Sequence, residues 1–137
     1  MILGIGTDIT SIRRIEKILG RHSQQFITRC FTAEEYKYAE ERNKSFKEYA
    51  SFFAKHWSAK EAIVKALGTG FRDGIYLKDI EIKKDYLGKP YANLTGEAFN
   101  RLKQKTPYGY KANIHLSISD EYPQAIAFVI IEIEKED

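Results

Sequence analysis

One cysteine, three histidines and three prolines in 137 residues leave several kinds of protein without their raw material. Cys30, standing alone, excludes an intramolecular disulfide and any multi-cysteine zinc site and suits a reducing compartment. It is read as a packing residue rather than a nucleophile. No apolar run reaches the roughly 18–20 residues of a membrane span, and the longest, Ala125 to Ile131, has the length and β-branching of a core strand. Met1-Ile2-Leu3-Gly4 has no basic n-region and no cleavage site, so a cytoplasmic location without a membrane partner is expected. Walker loop, dinucleotide fingerprint and His-Glu-x-x-His helix are missing too. Ser117 and Ser119 lie near His115 in an expected strand, but no nucleophile elbow surrounds either, which argues against an acyl-enzyme.

What remains is ordinary in bulk: 43% hydrophobic, 30% charged and a net charge of +3, enough for one folded domain over residues 1–137 and too little charge to argue for nucleic acid. The pattern carries more. Ile2 to Ile9 reads as a strand with Leu3, Ile5 and Ile9 on one face and Gly4, Gly6 and Asp8 on the other. Glycines inside a strand mark close approach by backbone, ion or ligand. A helix-capping role for Asp8 is the plainer alternative. Ser11 to Arg21 forms an amphipathic helix with Ile12, Ile15, Ile18 and Leu19 on one side and Arg13, Arg14, Lys17 and Arg21 on the other. That second face is either simply solvated or suited to an acidic partner.

Phe31-Thr32-Ala33-Glu34-Glu35 carries a capping box that starts a helix running to about Arg42. The pattern pauses around Asn43-Lys44-Ser45. A longer helix then spans Phe46 to Leu67 and stops at Gly68-Thr69-Gly70. His56 and Lys60 fall inside its apolar arc, and Glu61 and Lys65 lie along its margin. A Glu–Lys pair at that spacing is most often a surface ion pair. Lys60 is different, because a buried ammonium needs an anion nearby. Asp79 to Ile82 and Pro90 to Leu94 read as a hairpin, Thr95 to Lys105 as a helix, and Ala112–Ser119 and Ala125–Glu134 as two closing strands. Helices and strands mix without βαβ alternation, so the fold class is α+β.

Two carboxylates drawn from a strand end and a helix suit Mg²⁺, which prefers oxygen ligands and completes its shell with water and phosphate. Asp8 and Glu61 are the candidates, and nearby lysines and glycine-turn amides suit the phosphates. Composition alone does not bring the two carboxylates together. A noncatalytic RNA- or nucleotide-binding module, using the nine tyrosines and eight phenylalanines, is the competing reading, and it leaves that pair unexplained.

Gly4-Ile5-Gly6-Thr7-Asp8-Ile9, Phe31-Thr32-x-x-Glu35, Ser58-Ala59-Lys60-Glu61-Ala62-x-x-Lys65-Ala66-x-Gly68-Thr69-Gly70, Asp79-Ile80-Glu81-Ile82 with Gly88-Lys89-Pro90, and His115-Leu116-Ser117-Ile118-Ser119 closely resemble the holo-[acyl-carrier-protein] synthases. Order and spacing agree across nearly the full length. The resemblance implies a compact 4'-phosphopantetheinyl transferase-like fold, an antiparallel sheet packed on a long central helix. It implies transfer of 4'-phosphopantetheine from coenzyme A to a serine of apo-acyl carrier protein, with Mg²⁺, in support of fatty acid biosynthesis. Asp8 and Glu61 match the family's metal ligands and, with Lys65, its catalytic centre. Lys60, Lys65, Gly68, Thr69, Gly70 and His56 fall in its coenzyme A-binding region. His115 matches a histidine at the nucleotide end of coenzyme A, donated across a subunit boundary of a homotrimer. The basic face of Arg13, Arg14, Lys17 and Arg21 would then receive the acidic carrier protein. Two departures stand out: His56-Trp57-Ser58-Ala59 replaces an Arg-Phe-Ala-Ala start, and Asp120 replaces a second histidine.

Overall fold

The computed structural model describes residues 1–42, 44–70 and 74–137; Asn43, at the expected pause between helices, lies outside them. β1 (Ile2–Ser11) passes without a loop into α1 (Ile12–Cys30), whose first turn is capped by the Ser11 hydroxyl accepting from the Arg14 N–H at 3.3 Å. α1 runs on well past Arg21. At His22 the backbone leaves helical geometry (φ −137°, ψ 43°), and beyond this kink Phe26, Ile27 and Cys30 carry the buried face onward. The polar stretch from His22 to Gln25 hides this continuation in the sequence.

α2 (Ala33–Arg42) opens on the expected capping box: the Glu35 N–H donates to Thr32 Oγ1 at 3.2 Å and the Thr32 N–H to Glu35 Oε1 at 3.0 Å. α3 (Phe46–Leu67) is capped by Ser45 and ends at Gly68, whose φ of +79° is the left-handed conformation glycine adopts freely. After a 3-10 turn at Leu77–Asp79 come β2 (Ile80–Lys84), β3 (Pro90–Leu94), α4 (Gly96–Lys105), β4 (Tyr110–Glu121) and β5 (Gln124–Lys135).

β1, β5 and β4 form one antiparallel sheet in that order, and β2 and β3 form a separate hairpin. α3 lies across the inner face of the larger sheet. Its closest approach is to β1, where a side chain on Gly4 would strike the Ala66 carbonyl and one on Gly6 the Ala62 carbonyl. Helix backbone, rather than a ligand, fills the space beside the glycines. The core there is made of Ala59, Ala62, Ile63, Ala66, Val129 and Ile131. A second cluster, with Phe31 and Phe53 edge to face at 4.8 Å, joins α1 to α3. The other face of the sheet keeps Ile5, Ile9, Ile126 and Phe128 exposed.

Candidate active site

The small-residue seam between β1 and α3 decides where the carboxylates go. Because Gly6 meets the helix at Ala62, the next inward residue of the strand, Asp8, is delivered to the helix face that carries Glu61 and Lys65. The Lys65 ammonium donates to Asp8 Oδ1 at 3.2 Å and to the Thr7 carbonyl at 2.9 Å. The second carboxylate oxygen, Oδ2, accepts from the Thr10 hydroxyl at 2.9 Å. Burial, then the charge of Asp8, push the Glu61 carboxyl above its ordinary range, and Lys65 opposes them. Asp8, Glu61 and Lys65 are thus brought together. The pair carries more negative charge than the one half-exposed lysine answers, and its donors are all oxygen. Such a set fits Mg²⁺, which takes carboxylates together with water or phosphate. Among the described residues no third His, Cys, Asp or Glu joins it.

One turn further on, α3 ends at the glycine turn. The Gly68 N–H is spent on the Val64 and Lys65 carbonyls. Those of Thr69 and Gly70 donate to no described residue. Sequence reasoning missed one cation here. Lys105, at the end of α4, brings its ammonium to 3.4 Å from where a Gly68 side chain would begin, and only the fold reveals it.

Two expected ligand residues make their polar contacts within the chain, away from Asp8 and Glu61. Lys60 is fully buried and donates to Glu35 Oε1 at 2.6 Å, to the Cys30 carbonyl at 2.8 Å and to the Leu77 carbonyl at 3.2 Å. The anion that its burial demands is Glu35, not a phosphate. His56, 6% exposed, places Nδ1 2.6 Å from Glu35 Oε2 and lies against the Phe52 ring. Burial holds its pKa below the usual histidine value in spite of Glu35, so it is a poor substitute for a permanent cation. Its ring borders a cavity of about 340 Å³ whose lining includes neither Asp8 nor Glu61.

His115 does not join Asp8 within one chain. In register it lies beside Ile130 and Ile5, on the outer face of the sheet, whereas Asp8 pairs with the buried Ala127 on the inner face. His115 Nε2 lies 3.1 Å from Glu132 and is otherwise exposed.

With that geometry in place, comparison with known proteins is decisive. The profile of the 4'-phosphopantetheinyl transferase superfamily matches residues 4–127. The chain belongs to this superfamily. The holo-[acyl-carrier-protein] synthase of Zymomonas mobilis is 50% identical over 134 residues, 96% of this chain and 97% of that one. The holo-ACP-synthase of Plasmodium yoelii superposes with a TM-score of 0.82 at 34% identity, covering 99% of this chain and 98% of that one. The holo-(acyl-carrier-protein) synthase of Bacillus anthracis, solved in complex with CoA (3',5'-ADP), gives 0.76 at 33% identity over 100% and 99% of the two chains. The α+β architecture, an antiparallel sheet packed on a long helix, is that of these transferases.

In this superfamily member the basic face of α1 is open: Arg13, Arg14, Lys17 and Arg21 are all exposed. A groove of about 780 Å³, whose lining includes none of these four residues, lies between the kinked half of α1 and Trp57, lined by Ile18, Phe26, Arg29 and Leu77. Asp120, in the place of the second histidine, accepts from Ser51 at 2.9 Å and pairs with Lys55 at 3.5 Å, tying β4 to α3. No helix among the described residues is long and apolar enough to cross a membrane.

Proposed function

We propose that the chain is a holo-[acyl-carrier-protein] synthase, transferring 4'-phosphopantetheine from coenzyme A to a serine hydroxyl of apo-acyl carrier protein. The convergence of Asp8 and Glu61 beside Lys65 and the Gly68-Thr69-Gly70 turn carries this reading. Asp8 and Glu61 would hold Mg²⁺, which when bound supplies neutralisation of the diphosphate and of the charge growing on the leaving group. Lys65 leaves Asp8 for a phosphate oxygen, and the Thr69 and Gly70 amides cradle the same anion. The serine oxygen forms the new bond to the phosphorus that bears pantetheine. The bond from that phosphorus to the bridging oxygen breaks, and adenosine 3',5'-bisphosphate departs. The serine proton passes to water at the carboxylates, either released from there to solvent or taken up by Glu61. No covalent enzyme intermediate is needed.

The exposed apolar sheet face gives the proposed homotrimer its contact surface. His115 lies on that face, where a neighbouring chain's coenzyme A can meet it.

Mass spectrometry of apo-acyl carrier protein incubated with the chain, coenzyme A and Mg²⁺ tests the reaction. The expected result is a gain of one phosphopantetheine, abolished by chelator. An unmodified carrier protein would leave only a binding or assembly role.

A further inference from the structure

Asp8 is held from behind by the Thr10 hydroxyl, which a second hydroxyl, that of Ser58, backs in turn. A carboxylate only accepts, so the Thr10 proton must point at Asp8 Oδ2, 2.9 Å away. The Thr10 oxygen is then left as an acceptor, and the Ser58 hydroxyl donates to it at 2.5 Å. Ser58 is fully buried, and among the described residues its only other acceptor is the Ala125 carbonyl at 3.4 Å. A serine inside a helix commonly bonds back to the carbonyl one turn earlier. Here it reaches across to β1 instead. The proton order is therefore fixed along Ser58, Thr10 and Asp8, and each bond polarises the next. Ser58 also stands three positions before Glu61 on α3, so the relay ties the Asp8 rotamer to the helix that supplies the second carboxylate.

We propose that Ser58 is a positioning residue that, acting through Thr10, fixes the carboxylate plane of Asp8 relative to Glu61 and so preforms the oxygen pocket for a divalent cation. This rests on the reading of Asp8 and Glu61 as the Mg²⁺ ligands. Fixing one oxygen inward turns the other, Oδ1, toward Lys65 and the open side of the site. Without the relay the carboxylate must be ordered by the cation itself, at a cost in affinity.

The test is Mg²⁺ binding to the purified protein, followed by titration calorimetry and by the metal-dependent rise in melting temperature, neither of which reads activity. Ser58→Ala is expected to weaken binding about fivefold, the worth of one modest hydrogen bond. Thr10→Val, which deletes the next link, weakens it at least as much, and Thr10→Ser restores it. In the double variant Ser58→Ala with Thr10→Val, binding is no weaker than with Thr10→Val alone. In turnover the Mg²⁺ activation constant rises while the KM for coenzyme A at saturating metal stays within about twofold. A folded Ser58→Ala variant with wild-type Mg²⁺ affinity, or single effects that multiply, overturns the proposal. If Ser58→Ala does not fold, unchanged affinity in Thr10→Val overturns it equally. A wild-type protein that binds no Mg²⁺ removes the metal reading and the relay together, which separates the two failures.

Discussion

Lys60 is the residue at which sequence and structure diverge most usefully. Its position in an apolar arc foretold an anion, but the partner, Glu35, is 25 residues away in the chain and already has a visible job in the capping box of α2. Nothing local in the sequence marks a carboxylate that caps a helix with one oxygen and neutralises a lysine as well. Lys60→Met should therefore cost about 3–5 kcal/mol in urea unfolding, because it leaves Glu35 buried with one charge partner fewer, while the KM for coenzyme A of the folded protein stays put. Lost coenzyme A affinity at unchanged stability would return Lys60 to the ligand. The acid limb follows from the same cluster. Burial pushes the Glu35 carboxyl up, but the His56 hydrogen bond and the Lys60 charge outweigh it and hold it below its ordinary value of 4.5. Stability from this group is complete above that value and is lost as the pH falls through the lower folded one. Melting curves of Glu35→Gln in acid should lack that loss. Glu61 has the opposite sign: its raised carboxyl makes the protein lose stability as the pH rises from 4.5 through the folded value. Glu61→Gln should abolish Mg²⁺-dependent transfer by mass spectrometry, yet melt no lower than metal-free wild type. A clear drop in melting temperature would mean that Glu61 supports the fold.

The elements were legible where one periodicity ran unbroken, as in α3 and β3, whose expected and observed spans agree, whereas β2 was expected over Asp79 to Ile82 and runs from Ile80 to Lys84, Asp79 closing a 3-10 turn. α1 was legible only to its kink, since the polar run from His22 to Gln25 interrupts the apolar stripe that Phe26, Ile27 and Cys30 then resume. β1 was legible as a strand, with an unexpected consequence for its faces. The side carrying Ile5 and Ile9 looks like a core face but is open, and the side carrying the glycines is the buried one, because the backbone of α3 replaces the missing side chains. Gly6→Ala should therefore force strand and helix apart, costing about 1–3 kcal/mol in chemical denaturation. Activity should fall further than stability, since Asp8 and Glu61 ride on the two separated elements. A variant as stable and active as wild type would show that the seam has slack.

For the whole molecule, the shared ion at Asp8 and Glu61 was implied by the family resemblance and not by the residues themselves, because the meeting of the two carboxylates depends on a sheet register and a helix crossing that no local pattern encodes. Docking and assembly give predictions at this scale. Arg14→Glu should raise the KM for acyl carrier protein at least tenfold while changing that for coenzyme A little, since charge reversal acts on an acidic partner's encounter. Equal effects on both substrates would remove the docking role. Ile9→Glu places a charge on the exposed apolar face, away from Asp8, and should convert the proposed trimer to monomers in sedimentation with loss of transfer. A fully active monomer would refute the shared site. One further consequence comes from the join at Ser11, where β1 becomes α1 with no intervening loop. The carboxylate Asp8 and the cation Arg14 sit on one loop-free stretch of chain, so under the proposed docking their spacing would set how far the incoming serine stands from the phosphorus. Lengthening that stretch by a single residue would leave both ends chemically intact and the measurement between them wrong.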